Sequence, residues 1–380
     1  MKYFRFFFFV ASFFIVATPN HAQDAASWVR QLYAHRTDTV SLIFMGDIMV
    51  HGAQLTSAQT QQGHSFLHCF EAIAPRLANA DLSIANIETT FAGPPYTGYP
   101  IFSTPDVLIS DLKTSGVQLL FTANNHICDQ GKKGLQRSLN LFDSIGIFHT
   151  GTFRSPKERN QRYPLLITLK GIRIAFLCYS YGTNGFSIPN PFVVNLIDTI
   201  AISKDILKAQ RMQPDFIIAS MHWGDEYRIK QSAAQEALAA FLFKKGVDII
   251  MGAHPHVPQG MEVTYHATGE IQHIVAYSLG NVISNMTLPH TQIGLLTEIK
   301  LIKNGLYKAI ASFDYEWIAT EQRRNQGVRK FHVLPLAQCR NNSASVTILP
   351  DSTVRPSLRF RLDTIAGTRR TLSFQLQPNK

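Results

Sequence analysis

No two cysteines of this 380-residue sequence stand in a C-x-x-C arrangement. The four present, Cys69, Cys128, Cys178 and Cys339, are scattered, which excludes a Cys-based structural metal site by spacing. A disulfide is open to an exported chain, but position alone gives no pairing, and Cys178 within IAFLCY reads as a buried thiol. Also missing is any run of five or more Lys/Arg, despite a net charge of +10. Charge of that sign suits nucleic acid, anionic lipid or an acidic polymer. With neither a basic patch nor a base-reading motif, nucleic acid is set aside as a partner. There is no internal repeat and, beyond the N-terminus, no low-complexity segment, so fibrous and disordered classes fall away. A chain that is 45% hydrophobic has ample surface to bury, in one large domain or two ordinary ones.

The N-terminus has its own composition. Lys2 and Arg5 precede FFFFVASFFIVATPNHAQ, a basic region followed by a short apolar core. Pro19, Asn20 and His21 end the run too early for a comfortable membrane span, which needs roughly 20 apolar residues. Residues 1–23 are expected to be a signal peptide or an N-terminal anchor. Both predict an exported protein, periplasmic or at the cell surface. Cleavage near Ala22–Gln23 is a weak match because the −3 position is not small. Loss of Lys2 and Arg5 would leave a charge of +8.

Past a polar lead, one grammar recurs. VSLIFMGD, DLSIANIE, VQLLFTANN, IRIAFLCYS, DFIIASMHWG, VDIIMGAHPH and HIVAYSLGN are apolar runs that break into polar residues at their C-terminal ends. Helical spacing fills several gaps. STPDVLISDLKTSG offers Ser103 or Thr104 as N-cap, GKKGLQRSLNLFDSIG spaces Leu135, Leu139 and Phe142 along one face, and AAQEALAAFLFKKG stops at Gly246. Strand–helix alternation predicts an α/β fold over residues 41–300. Further on, apolar and polar residues alternate around Asn304–Gly305, which predicts an antiparallel hairpin. Residues 301–380 are expected to form a β-rich C-terminal extension, whose tail from residue 346 onward forms added strands or a small appendage.

The chemistry sits where the apolar runs end. Asp47, Glu88, Asn125, His126, His222, His254, His256 and Asn281 each follow one of them. In open α/β sheets ligands gather beyond the carboxyl ends of the strands, so these tips would converge. Asp, Glu, Asn and His together suit Mn, Fe, Zn or Co. Any one His among 14 is more often merely hydrogen-bonded, and Asp47 or Asn125 alone could be a turn residue. Six strand ends carrying such residues by accident is a different matter. Within HPH, an extended segment would turn His254 and His256 the same way, each toward a neighbouring ion.

The ordered set GDIM, ANIETTFAG, TANNHICDQG, MHWGDEY, GAHPHVPQG and YSLGN resembles the bacterial capsule-synthesis CapA family, of poly-γ-glutamate biosynthesis type. That family is similar to the calcineurin-like metallophosphoesterases, and the resemblance covers residues 41–290. It implies a layered α/β sandwich with a site for two divalent transition-metal ions at the strand ends. By resemblance Asp47 belongs to the first ion, Glu88 bridges, and Asn125, His222 and His254 hold the second. His256 returns to the first ion, and His126 serves as general acid toward a bond attacked by metal-bound hydroxide. The pattern departs in two places. The usual Asp-x-His reads Asp47–Ile48–Met49, leaving the first ion short of a ligand unless His51 supplies it, and Glu88 replaces a bridging aspartate.

The stretch FAGPPYTGYPIFSTP directly follows the bridging acid. It reads either as a packing loop or as a wall of the substrate groove carrying Tyr96 or Tyr99, with Asn281 a further substrate-binding candidate. The resemblance implies a hydrolase of capsule or cell-surface polymer biogenesis. Its expected partners are an anionic polymer, or a phosphorylated or γ-glutamyl small substrate, and a membrane-bound polymer-synthesis complex. Two other readings stand beside it: a non-catalytic binding or export component with a degenerate metal site, and a general secreted phosphodiesterase.

Overall fold

The computed structural model describes residues 37–325 and 328–339, together with the strand backbone of 370–372. The expected signal or anchor at 1–23 and most of the tail lie outside the described residues.

Fifteen strands form the main sheet. In chain order they are β1 (Asp38–Ile48), β2 (Leu82–Ile87), β3 (Leu119–Phe121), β4 (Phe148–Thr150), β5 (Leu165–Leu169), β6 (Ile172–Ser180), β7 (Phe216–His222) and β8 (Ile249–Ala253). There follow β9 (Met261–Tyr265), β10 (Ile271–Ala276), β11 (Asn281–Ile283), β12 (Ile293–Asn304), β13 (Tyr307–Asn325), β14 (Val328–Pro335) and β15 (Arg370–Leu372). Their spatial order is β4-β3-β2-β1-β12-β13-β10-β8-β7-β6-β5, with β9, β11, β14 and β15 off this path. A single residue pair, Ile271 with Ile310, links β13 to β10. The sheet thus divides into two halves, and they stack face to face. Phe121 of one half lies 6.3 Å from Phe176 of the other, ring to ring.

Side-chain alternation explains the layering. Along β6, Ile174, Phe176 and Cys178 enter the core between the halves, while Ala175, Leu177 and Tyr179 enter a second core with Ile202, Ile206 and Leu242. Those last three belong to helices α3 (Thr199–Arg211) and α4 (Ala233–Lys245), whose predecessors are α1 (Val107–Thr114) and α2 (Gly131–Ile145). A strand buried on both faces has no polar side to show, hence the unbroken apolar runs of the sequence. The fold is a layered α/β sandwich. Gly246 ends α4 in left-handed conformation, as expected, and Gly146 ends α2 in the same way. The start of α1 differs from expectation. Asp106 precedes it without a side-chain cap, because the Thr104 hydroxyl is 2.6 Å from that of Thr89 and its N–H donates to the Thr90 carbonyl.

The hairpin about Asn304–Gly305 is present as β12 and β13. The expected boundary at 300 falls inside β12. β12 runs antiparallel to β1 from Asp38–Lys303 to Met45–Leu296, so the hairpin lies in the middle of the sheet. Of the tail, Arg370–Leu372 pairs with Met261–Val263. Among the described residues, no helix is long and apolar enough to cross a membrane.

Candidate metal centre

The parallel strands β1, β2, β3, β6, β7 and β8 deliver their carboxyl ends to one rim. Asp47, near the end of β1, is in register with Asn86 on one side and Asn281 on the other. Two glycines make the approach possible. A Cβ on Gly46 would stand 1.9 Å from the Gly280 carbonyl oxygen, and one on Gly252 would stand 2.0 Å from that of Tyr277. Glu88 follows β2, its N–H donating to the Ile48 carbonyl. Asn124 pins the next turn: its amide donates to the Ile87 carbonyl and its oxygen accepts the His126 N–H, which presents Asn125 and His126 to the rim.

The HPH segment does not take the extended form expected for it. His254 (φ 94°) and His256 (φ 58°) both occupy the left-handed region, at about 1–3 kcal/mol each. The two rings meet through this tight turn, 5.8 Å apart. The His254 N–H donates to Asp47 Oδ2 at 3.1 Å, which ties the turn to the first strand.

These placements create two overlapping ligand groups. One is Glu88, His222 and His254; the other is Asp47, Glu88 and His256; in each, one ligand atom per residue lies within 4.8 Å of the others. Glu88 Oε1 is 3.6 Å from His222 Nε2 and 3.8 Å from His256 Nε2. Asn125 Oδ1 lies 2.7 Å from the same His222 nitrogen.

The electrostatics fit a cation. Both carboxylate oxygens of Glu88 are buried without a hydrogen-bond partner, as is His254 Nδ1. An orphaned buried carboxylate is costly unless a positive charge faces it. Burial first, and the neighbouring carboxylate of Asp47 second, hold the Glu88 carboxyl well above its ordinary range. Burial, reinforced by the neighbouring histidines, pushes His254 down to about 3 and His222 well below its usual value. The histidines are therefore neutral and able to ligate at neutral pH.

Partners outside the groups orient the ligands. Asn86 donates its amide to Asp47 Oδ1 at 2.8 Å and lies 3.3 Å from His222 Nδ1. The Asn281 amide nitrogen donates to the Thr291 carbonyl and the Ser284 hydroxyl, so its oxygen is what faces His256 Nδ1, 3.2 Å away. A proton on Nδ1 leaves Nε2 as the free lone pair toward Glu88.

With this arrangement established, sequence comparison places the chain. The family model for the bacterial capsule synthesis protein PGA_cap matches residues 41–286, well over half of the sequence. The chain belongs to that family. It is 28% identical over 302 residues to the capsule biosynthesis protein CapA of Bacillus anthracis, covering 74% of this chain and 70% of that one. Against the PGA biosynthesis protein CapA of Bacillus subtilis strain 168 it is 28% identical over 282 residues, covering 70% and 69%. Among solved structures it is similar to the calcineurin-like phosphoesterase YfkN from Bacillus subtilis, with a TM-score of 0.44 and 14% identity, covering 75% and 91%.

In this PGA_cap member the structure gathers Asp47, Glu88, Asn125, His222, His254 and His256 at one centre, with His126 beside them. His126 Nδ1 is 2.8 Å from Asp129 Oδ2, and that oxygen also accepts the Phe102 N–H. The Phe102 ring stands edge-on to His126 at 4.7 Å. His51 joins neither ligand group. Its Nδ1 accepts the Asn285 N–H, its ring packs between Phe102 and Tyr99, and burial lowers it to about 4. Asn281 is 1% exposed, with its amide nitrogen engaged and its oxygen facing His256. Tyr99 is 67% exposed at the rim, whereas Tyr96 turns to His64. Sequence reasoning gave no role to Asp129, Phe102, Tyr181 or Glu226. Tyr181 lies 4.4 Å from His254, ring to ring. An acid three residues after His126 was the legible signal for Asp129; Tyr181 carried none beyond its place after an apolar run.

Proposed function

We propose that this chain is an exported, metal-dependent hydrolase acting in the biosynthesis of a capsular or cell-surface polymer. Family membership supports the process. The observation that carries the chemistry is Glu88, whose two unpartnered, fully buried oxygens lie between His256 and Asp47 on one side and His222 on the other. Such a cradle of oxygen and imidazole donors suits two ions of Mn, Fe, Zn or Co. What divalent ions supply in it is charge: polarisation of an ester or amide oxygen and acidification of a nearby water.

The chain's own residues do the rest. Asp129 holds His126 by Nδ1, so Nε2 is the position from which a proton passes to a leaving group. Phe102 walls that imidazole from water on one face. The exposed ring of Tyr99 offers a surface for substrate beyond His51. A charge of +8 without Lys2 and Arg5 favours an anionic polymer, or a phosphorylated or γ-glutamyl substrate.

Metal content measured beside hydrolysis of a panel of phosphoesters and γ-glutamyl peptides tests the proposal. Two ions per chain, one of them lost in His254→Ala, is the expected result. Protein that takes up no ion under several loading conditions overturns it. A second reading, a binding or export component with a degenerate centre, is favoured by Met49 in the first motif and by the turning of His51 toward Asn285. Metal uptake without turnover of any panel member would select it.

A further inference from the structure

Resting on the two-ion reading, the question is what completes the ion at Asp47, Glu88 and His256 when the first motif carries Met49 and His51 stands aside. One further ligand group lies beside it. The carboxylate of Glu226 lies with His254 and His256, ligand atoms within 4.8 Å of one another. Glu226 is exposed while the two histidines are buried, so it covers the open side of the centre. His254 Nδ1 is buried and unpartnered.

The loop carrying Glu226 is fastened to the histidine turn at several points. The Trp223 N–H donates to the Ala253 carbonyl and the Tyr227 N–H to that of Pro255, between the two histidines. The Trp223 indole donates to the Tyr277 carbonyl, and Gln259 donates to the Arg228 carbonyl. Tyr227 itself takes a left-handed φ of 64°, a conformation that persists only where surrounding contacts hold it. Glu226 therefore projects from a braced loop, and a ligand so placed loses little entropy on binding an ion.

We propose that Glu226 is a further protein ligand of this centre, reaching an ion on the side of His254 and His256, the two histidines with which its carboxylate is grouped. It makes that ion's shell accessible from the rim, since Glu226 is its single exposed member, and it adds a third carboxylate to the centre.

Calorimetric titration of the full chain with manganese(II) alone tests this, alongside the spin-coupled signal of a manganese pair. Wild type is expected to show two binding events and a coupled signal. Glu226→Ala should weaken one event by at least about tenfold, leave the other unchanged and lower the coupled signal at manganese concentrations that fill only its tighter site; Glu226→Gln should fall between. Glu88→Gln should weaken both. Two unchanged events in Glu226→Ala overturn the role of Glu226 while leaving the two-ion reading intact. Absence of binding in wild type overturns both. Equal melting temperatures of wild type and Glu226→Ala without metal confirm that the loop has not collapsed.

Discussion

The main-chain N–H of His254 donates to Asp47 Oδ2 across 207 residues of sequence. One bond thereby joins the first and fifth motifs and decides how the centre is built: Asp47 serves the turn with one oxygen while Asn86 holds the other. Because the turn is left-handed at both histidines, it needs such an anchor to persist.

Glu88 gives the sharpest pH prediction. Its carboxyl is raised by burial and by Asp47, so in metal-free protein its contribution is fully present below the ordinary 4.5. That contribution is lost as pH rises through its folded value. Glu88→Gln should remove this loss. Measured as melting temperature without metal, the variant should gain on wild type as pH climbs above 4.5. Proton release on ion binding at neutral pH, read from the dependence of binding heat on buffer, should fall by whatever share Glu88 contributes. His222 and His254, already neutral there, contribute none.

His126→Gln should lower kcat on any substrate found by about 10²–10⁴-fold while two ions remain bound. Asp129→Asn should retain the ions as well. It should shift the pH profile of kcat, because the group that fixes the Nδ1 proton is altered. Unchanged profiles in Asp129→Asn would remove it from proton transfer.

Asn281→Ala should act on metal and not on substrate. Losing the oxygen that faces His256 Nδ1 should weaken one ion by about 10–100-fold, with KM unchanged at saturating metal. A raised KM with normal metal affinity would return Asn281 to substrate binding.

Gly46→Ala should be among the most damaging single methyl additions available. Its Cβ would meet the Gly280 carbonyl oxygen at 1.9 Å, and the backbone there also carries the Asp47 N–H bond to that carbonyl. A loss of about 3 kcal/mol or more is expected by denaturant titration.

Much of this was legible because a strand buried on both faces is written as an apolar run, and the break at its carboxyl end marks where function can sit. Asp47, Glu88, Asn125, His222 and His254 were visible on that rule. What the rule misses is geometry that no local pattern encodes. HPH reads as extended, and contacts from distant residues, Asp47 with the His254 N–H and Tyr227 with the Pro255 carbonyl, hold it bent. Asn281 looks like a free amide until Thr291 and Ser284, from a later loop, occupy its nitrogen. Nothing in the alternation of residues 293–325 tells that this hairpin inserts between β1 and β10.

That insertion has a consequence for how the molecule comes into being. Every residue of the two ligand groups has been synthesised by His256, and the family match ends at 286. At that point β1 still lacks the neighbour that borders it from Asp38 to Met45. A fragment ending there would carry the full set of ligands on a sheet with a bare inner edge, open to pairing with another copy. Closure waits on contacts as distant as Met45 with Leu296, the kind of long-range pairing that slows folding. The rim that carries the candidate ligands is thus early in sequence and late in assembly.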